Sequence, residues 1–186
     1  MEIECGLVWP STKALGPGNR FVIWTQGCLR RCFRCASPEL QLSGHGIMYE
    51  TGSLAEKIVK SSDIEGITIS GGEPLLQSEA LCDLLSRVKL KRPELSVILF
   101  TGYTIEQVSS GDSKQVLEYI DVLIDGEYKE ELNDNRGLRG SSNQRIHFLT
   151  PALLEHKEEF ESGKRTREMH LMEDDSMLTI GIADKV

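Results

Sequence analysis

Residues 67–88 read ITISGGEPLLQSEALCDLLSRV, and this run contains a complete strand–turn–helix unit. Ile67–Ser70 is short, β-branched and apolar, as a strand buried on both faces should be. Gly71-Gly72-Glu73-Pro74 makes the turn. Leu81, Leu84, Leu85 and Val88 then recur at helical spacing, and Pro93 stops the helix a few residues later.

Moving outward, the same unit repeats. RFVIWT (20–25) follows the turn residues Gly16-Pro17-Gly18 and reads as a buried strand. Ser53 and Glu56 form a capping-box pattern, with Leu54, Ala55, Ile58 and Val59 behind it on one helical face. SVILFT (96–101) is a third strand, a helix is expected at 113–120, and DVLID (121–125) is a fourth strand. RIHFL (145–149) and MLTIGI (177–182) supply a fifth and a sixth, while the charged stretch 151–175 reads as helix or excursion. Strands alternating with helices at this interval imply an α/β fold with a largely parallel sheet. Ligands of such sheets sit beyond the carboxyl ends of the strands. Four motifs fall there: the cysteine loop, GGE (71–73), TGYT (101–104) and DGEY (125–128). They are expected to converge on one side of the sheet.

The chain has 186 residues, a single domain's length, with 39% hydrophobic and 27% charged residues. Its net charge of −8 opposes nonspecific binding to nucleic acid or an anionic membrane. No apolar run approaches a membrane span, and MEIECGLVWP lacks the basic start of a signal peptide, so the expected compartment is the cytoplasm. Thiols stay reduced there, which turns attention from disulfides to metal or catalysis.

Three of the five cysteines stand at C-x3-C-x2-C in TQGCLRRCFRC (25–35): Cys28, Cys32 and Cys35. A structural zinc site closes with four ligands, and His45 and Cys5, the nearest candidates, lack partner spacing. An electron-transfer 4Fe–4S centre wants a fourth cysteine, for which Cys5 could serve, whereas Cys82 lies within an apolar helical face and reads as core. Alternatively, three thiolates hold three irons of a 4Fe–4S cluster and leave the fourth open to a ligand. Arg30, Arg31 and Arg34 must then lie near the cluster, to temper its charge or to meet a partner. His45, His147, His156 and His170 lack partners at ligand spacing and read as ordinary surface or core residues.

C-x3-C-x2-C after a first strand, with GGEP after the second, resembles the radical S-adenosylmethionine (SAM) superfamily. GPGNRFVIWTQGC and DVLIDGEY…RGSSNQR resemble in particular the activating proteins of anaerobic ribonucleotide reductase and other glycyl radical enzymes. The resemblance implies a short, open partial (βα) barrel in a single domain 1–186, with a core over about 16–149 and a C-terminal extension over 150–186. It implies a 4Fe–4S cluster and SAM as cofactors. Reductive cleavage of SAM then yields a 5′-deoxyadenosyl radical, which takes a hydrogen atom from a glycine of a partner enzyme. A flavodoxin- or ferredoxin-type protein is the implied electron donor, and neither membrane nor nucleic acid is an expected partner. Cys28, Cys32 and Cys35 carry over as metal ligands. Gly71, Gly72 and Glu73 carry over because the backbone of this motif contacts the methionine amine in the family, with the Glu73 carboxylate helping to orient it and the glycines clearing room for the ligand. Thr101 and Asp125 are placed by position near the SAM head group. Members of the superfamily carry an aromatic residue before the third cysteine; here Arg34 stands there, with Phe33 one position earlier, and either side chain can stack on adenine. Two other functions compete: a radical SAM enzyme acting on a small molecule, nucleotide or peptide, and a non-catalytic zinc or iron–sulfur module.

Overall fold

The computed structural model describes residues 1–185. Seven strands make one mixed sheet: β1 (Glu2–Thr12), β2 (Arg20–Thr25), β3 (Ile47–Glu50), β4 (Gly66–Gly71), β5 (Ser96–Phe100), β6 (Val122–Asp125) and β7 (Arg145–Phe148), in the spatial order β3-β1-β2-β4-β5-β6-β7. The centre, β2-β4-β5-β6, is parallel as expected. The edges are antiparallel: β1 pairs with β2 and β3, and β7 pairs with β6.

Helices α1 (Thr51–Lys60) and α2 (Ser78–Lys91) cover one face. Leu54, Ile58, Leu81, Leu84, Leu85 and Val88 pack there against Ile67, Ile69, Val97 and Leu99. The intervening strand positions point the other way, as the two-residue period requires. Ile98, Val122 and Ile124 meet Leu138, Leu153 and Phe160 on that second face.

Several expectations need correction. The capping residue of α1 is Glu50, whose carboxylate accepts from the Ser53 backbone N–H; Ser53 lies inside the helix. Helix α3 (Ile105–Ser110) was not anticipated, although Thr104 and Gln107 form its capping box. The helix expected at 113–120 is present over Asp112–Tyr119 as a 3-10 helix, with Val116 as its buried residue. The expected sixth strand never joins the main sheet. It is β9 (Met177–Ile180), paired antiparallel with β8 (Glu168–Leu171) in a separate hairpin after the short helix α4 (Lys157–Ser162). Strand β1 went unread because its bulged register and Pro10 break the regular alternation.

Arg20 sits at the beginning of β2, with its side chain fully buried beneath the parallel strands. Its Nε donates to Thr68 Oγ1 at 2.7 Å. Nη1 donates to the Pro17 carbonyl and Ser96 Oγ, both at 3.1 Å, and Nη2 to the carbonyls of Ile67 at 2.8 Å and Ser96 at 2.9 Å. All five donors are used. Burial lowers its pKa to about 9, against the pull of Asp121, Glu65 and Glu159, so it stays cationic at neutral pH.

Candidate functional site

At the opposite, carboxyl end of the same strands the chain opens into a cleft. Its empty space is about 980 Å³, part of it solvent at the mouth. The expected convergence occurs: Cys28, Cys32 and Cys35 line this cleft together with Gly71, Gly72, Glu73 and Thr101.

The cysteine loop is anchored at its base. Gln26, nearly fully buried, donates to the carbonyls of Glu39 at 3.0 Å and Leu42 at 2.7 Å. The Gly27 and Cys28 N–H groups donate to the carbonyls of Leu40 and Gln41. Within the loop, Arg31 (φ 54°) and Arg34 (φ 51°) adopt the left-handed conformation, uncommon for such side chains, and bend the chain between the thiols. Gln26 was missed in the sequence, where it looks like any polar residue after a strand.

The GGE turn is bonded to that base. The Gly72 N–H donates to the Thr25 carbonyl and the Glu73 N–H to the Gly27 carbonyl, each at 2.8 Å. A Cβ on Gly71 would collide with the Thr25 backbone, and one on Gly72 with the Gly27 carbonyl. The neighbouring loop thus demands glycine at both positions, and both line the cleft. Glu73 belongs to the same turn and also lines the cleft. It is 1% exposed, and its Oε1 accepts from Thr101 Oγ1 at 2.8 Å and the Leu75 N–H at 3.1 Å, while Oε2 accepts from the Gly102 N–H at 2.8 Å. Burial holds its pKa above the ordinary range despite those donors and nearby Arg30. Its carboxylate ties the β4 turn to the β5 turn. Thr101 lines the cleft with its hydroxyl already given to Glu73.

Asp125 is not in the cleft lining, contrary to its expected place. Its side chain is fully buried, and Arg145 donates to it from Nε at 3.1 Å and Nη2 at 2.6 Å. The Ile105 N–H donates at 2.6 Å, and His147 Nε2 lies 3.2 Å away. Burial pushes its pKa up, but Arg145, the Ile105 N–H and His147 outweigh that and hold it below the usual carboxylate value. Phe33 and Arg34 do not line the cleft either: Phe33 is 79% exposed, and Arg34 pairs with Glu130 at 3.1 Å.

The far wall includes Trp24, Gln144 and Gly181–Ala183, the residues just after β9. Arg165 secures that segment, donating to the carbonyls of Ala183 at 2.8 Å and Arg139 at 2.6 Å and to Asn133 Oδ1 at 2.8 Å. Nothing in the weak patterning of 151–175 signalled this. Of the other cysteines, Cys5 is in the core, where burial and then Glu4 raise its pKa to about 12. Cys82 packs beside the same core from α2.

The donor set fits a cluster held by three thiolates. The cleft lining contains no fourth cysteine and no histidine among the described residues. No three His, Cys, Asp or Glu side chains among them close on a single metal ion. A cubane does not require that, because each thiolate binds a different iron. The Cys32 thiol is pushed up to about 11 by burial, then by Glu127 and the two neighbouring thiols, with Arg30 opposing. Metal binding there has a proton to displace.

The 4Fe-4S single cluster domain family matches residues 14–147. An anaerobic ribonucleoside-triphosphate reductase-activating protein of Enterobacteria phage T4 is 33% identical over 153 residues, covering 80% of this chain and 96% of that protein. One from Vibrio cholerae serotype O1 is 36% identical over 152 residues, covering 76% and 96%. One from Haemophilus influenzae is 31% identical over 146 residues, covering 75% and 94%.

Proposed function

We propose a function from one premise: the chain belongs to the family of anaerobic ribonucleoside-triphosphate reductase-activating proteins and carries a 4Fe-4S single cluster domain. It is a radical SAM activase that installs a glycyl radical on an anaerobic ribonucleoside-triphosphate reductase. The observation that carries this reading is the cleft, where three thiols from one loop meet the GGE turn with no fourth thiol or imidazole in the lining.

In this reading Cys28, Cys32 and Cys35 would hold the cluster, and the cleft they line would hold SAM beside it. Bound there, the two cofactors together supply one-electron cleavage of a sulfonium, and so a carbon radical able to abstract hydrogen from a glycine Cα. The chain supplies position and shelter. Gly71 and Gly72 bring the β4 backbone against the base of the cysteine loop. Glu73 fixes Thr101 and Gly102 and so sets the shape of the cleft floor. Trp24, Leu15 and Ile182 give the far wall apolar surface that limits water. The whole chain acts as one domain, a core over 16–149 with the extension 150–186, and the parallel strands form a short, open partial barrel. No helix of the described residues is long and apolar enough to cross a membrane. The site of action is the cytoplasm, and a flavodoxin- or ferredoxin-type protein delivers the electron.

The test is anaerobic. The iron-loaded protein, reductant, SAM and an anaerobic ribonucleoside-triphosphate reductase of the same organism are mixed and examined by electron paramagnetic resonance. A glycyl radical on the reductase is the expected result. Efficient SAM cleavage with no radical on the reductase would overturn the proposed partner, and protein that takes up zinc alone would overturn the cofactor.

A further inference from the structure

Arg30 lies between the first two cysteines and faces the same cleft as their thiols, the only Lys or Arg in its lining among the described residues. Its guanidinium makes no hydrogen bond among those residues. The nearest carboxylate oxygen, Glu127 Oε2, is 3.8 Å from Nη2, and Nε is buried without an acceptor. Glu73 feels the charge of Arg30 but forms no ion pair with it, and its oxygens accept from Thr101, Leu75 and Gly102.

The side chain is nonetheless held in place. Its guanidinium carbon is 5.1 Å from the centre of the Tyr103 ring, a cation–π distance. It also lies across Gly102, where any Cβ would collide with Cδ and Nε of Arg30. With 24% of the side chain exposed, the terminal nitrogens remain open to the cleft. A fixed, unspent planar fork suits a carboxylate, which it can bind through two parallel hydrogen bonds.

We propose that Arg30 recognises the carboxylate of the methionyl end of SAM. This rests on the function proposed above, which supplies the ligand. Two neighbours frame the device: Tyr103 orients the guanidinium, and the missing side chain of Gly102 leaves it room.

The experiment measures binding by calorimetry under anaerobic conditions, using iron-loaded protein with SAM and with decarboxylated SAM, which lacks only that carboxylate. In Arg30→Gln, affinity for SAM is expected to fall about tenfold or more, the scale of a lost charge-assisted hydrogen bond, with affinity for the decarboxylated analogue changing less than about twofold. Gly102→Ala, whose Cβ would fall on Cδ and Nε of Arg30 while all three cysteines are kept, should lose the same preference and serves if Arg30→Gln takes up too little iron. Equal losses for both ligands, or full retention of the preference in both variants, would overturn the assignment and leave the proposed function standing. Iron-loaded wild-type protein that binds neither ligand would overturn the proposed function and the assignment together.

Discussion

Arg20 and Arg30 sit at opposite ends of the same parallel strands, and they are used in opposite ways. Arg20, under the amino ends, is fully buried and gives all five of its donors to protein acceptors. Arg30, over the carboxyl ends, is half-buried, with no hydrogen bond among the described residues and one nitrogen buried without an acceptor there. One end of the sheet is closed on itself, and the other is left with unspent polar groups. A fully satisfied network makes structure, whereas an unsatisfied cation persists where something from outside completes it.

The contrast can be broken by substitution at either end. The largest effect is expected from Cys32→Ala, which should abolish glycyl radical formation and reduce bound iron, read by electron paramagnetic resonance and iron assay. The metal-free variant should unfold within about 0.5 kcal/mol of wild type, as substitutions outside the core usually do. Arg20→Met should show the reverse. It orphans buried carbonyls of Pro17, Ile67 and Ser96, at a cost of about 3 kcal/mol or more in urea unfolding, and any residual folded protein should still load iron. If Cys32→Ala were as destabilising as Arg20→Met, the division between the two ends would fail.

Gly72→Ala tests whether the open end also contains rigid parts. Its Cβ would fall on the Gly27 carbonyl, so the turn must shift, at about 1–3 kcal/mol. Iron retention should fall with it, because the same contact anchors the cysteine loop.

The smallest effect is one of pH. Asp125 has a folded pKa below its unfolded value of about 3.9, so its contribution is complete above that value and disappears as pH falls through the folded pKa. The stability gap between wild type and Asp125→Asn should narrow as pH drops from 5 toward 2. A gap that stays constant would mean that Arg145 does not depend on the charge of Asp125.

The open end was the more legible of the two in the sequence. Strands followed by glycine turns announce where a parallel sheet ends, and the cysteines, GGE and Thr101 came together as their positions implied. What the sequence hid was the use of each group. Glu73 and Asp125 look alike as carboxylates after strands, yet one braces the cleft floor and the other anchors β7 to α3. Their roles depend on which donors arrive from distant segments, and local pattern carries no record of that. The same holds for Arg20, whose five acceptors come from Pro17, Ile67, Thr68 and Ser96. The edges were the least legible part. β1 is irregular, and β8-β9 has the apolar rhythm of a sheet strand without being one.

The wall formed by Gly181–Ala183 has a consequence in time. These residues leave the ribosome about 150 positions after Cys35. At about 5–20 residues per second, the cysteine loop therefore waits roughly 7 to 30 s before its cleft gains that side. Until then the cleft that Cys28, Cys32 and Cys35 line lacks the wall that Gly181–Ala183 provide.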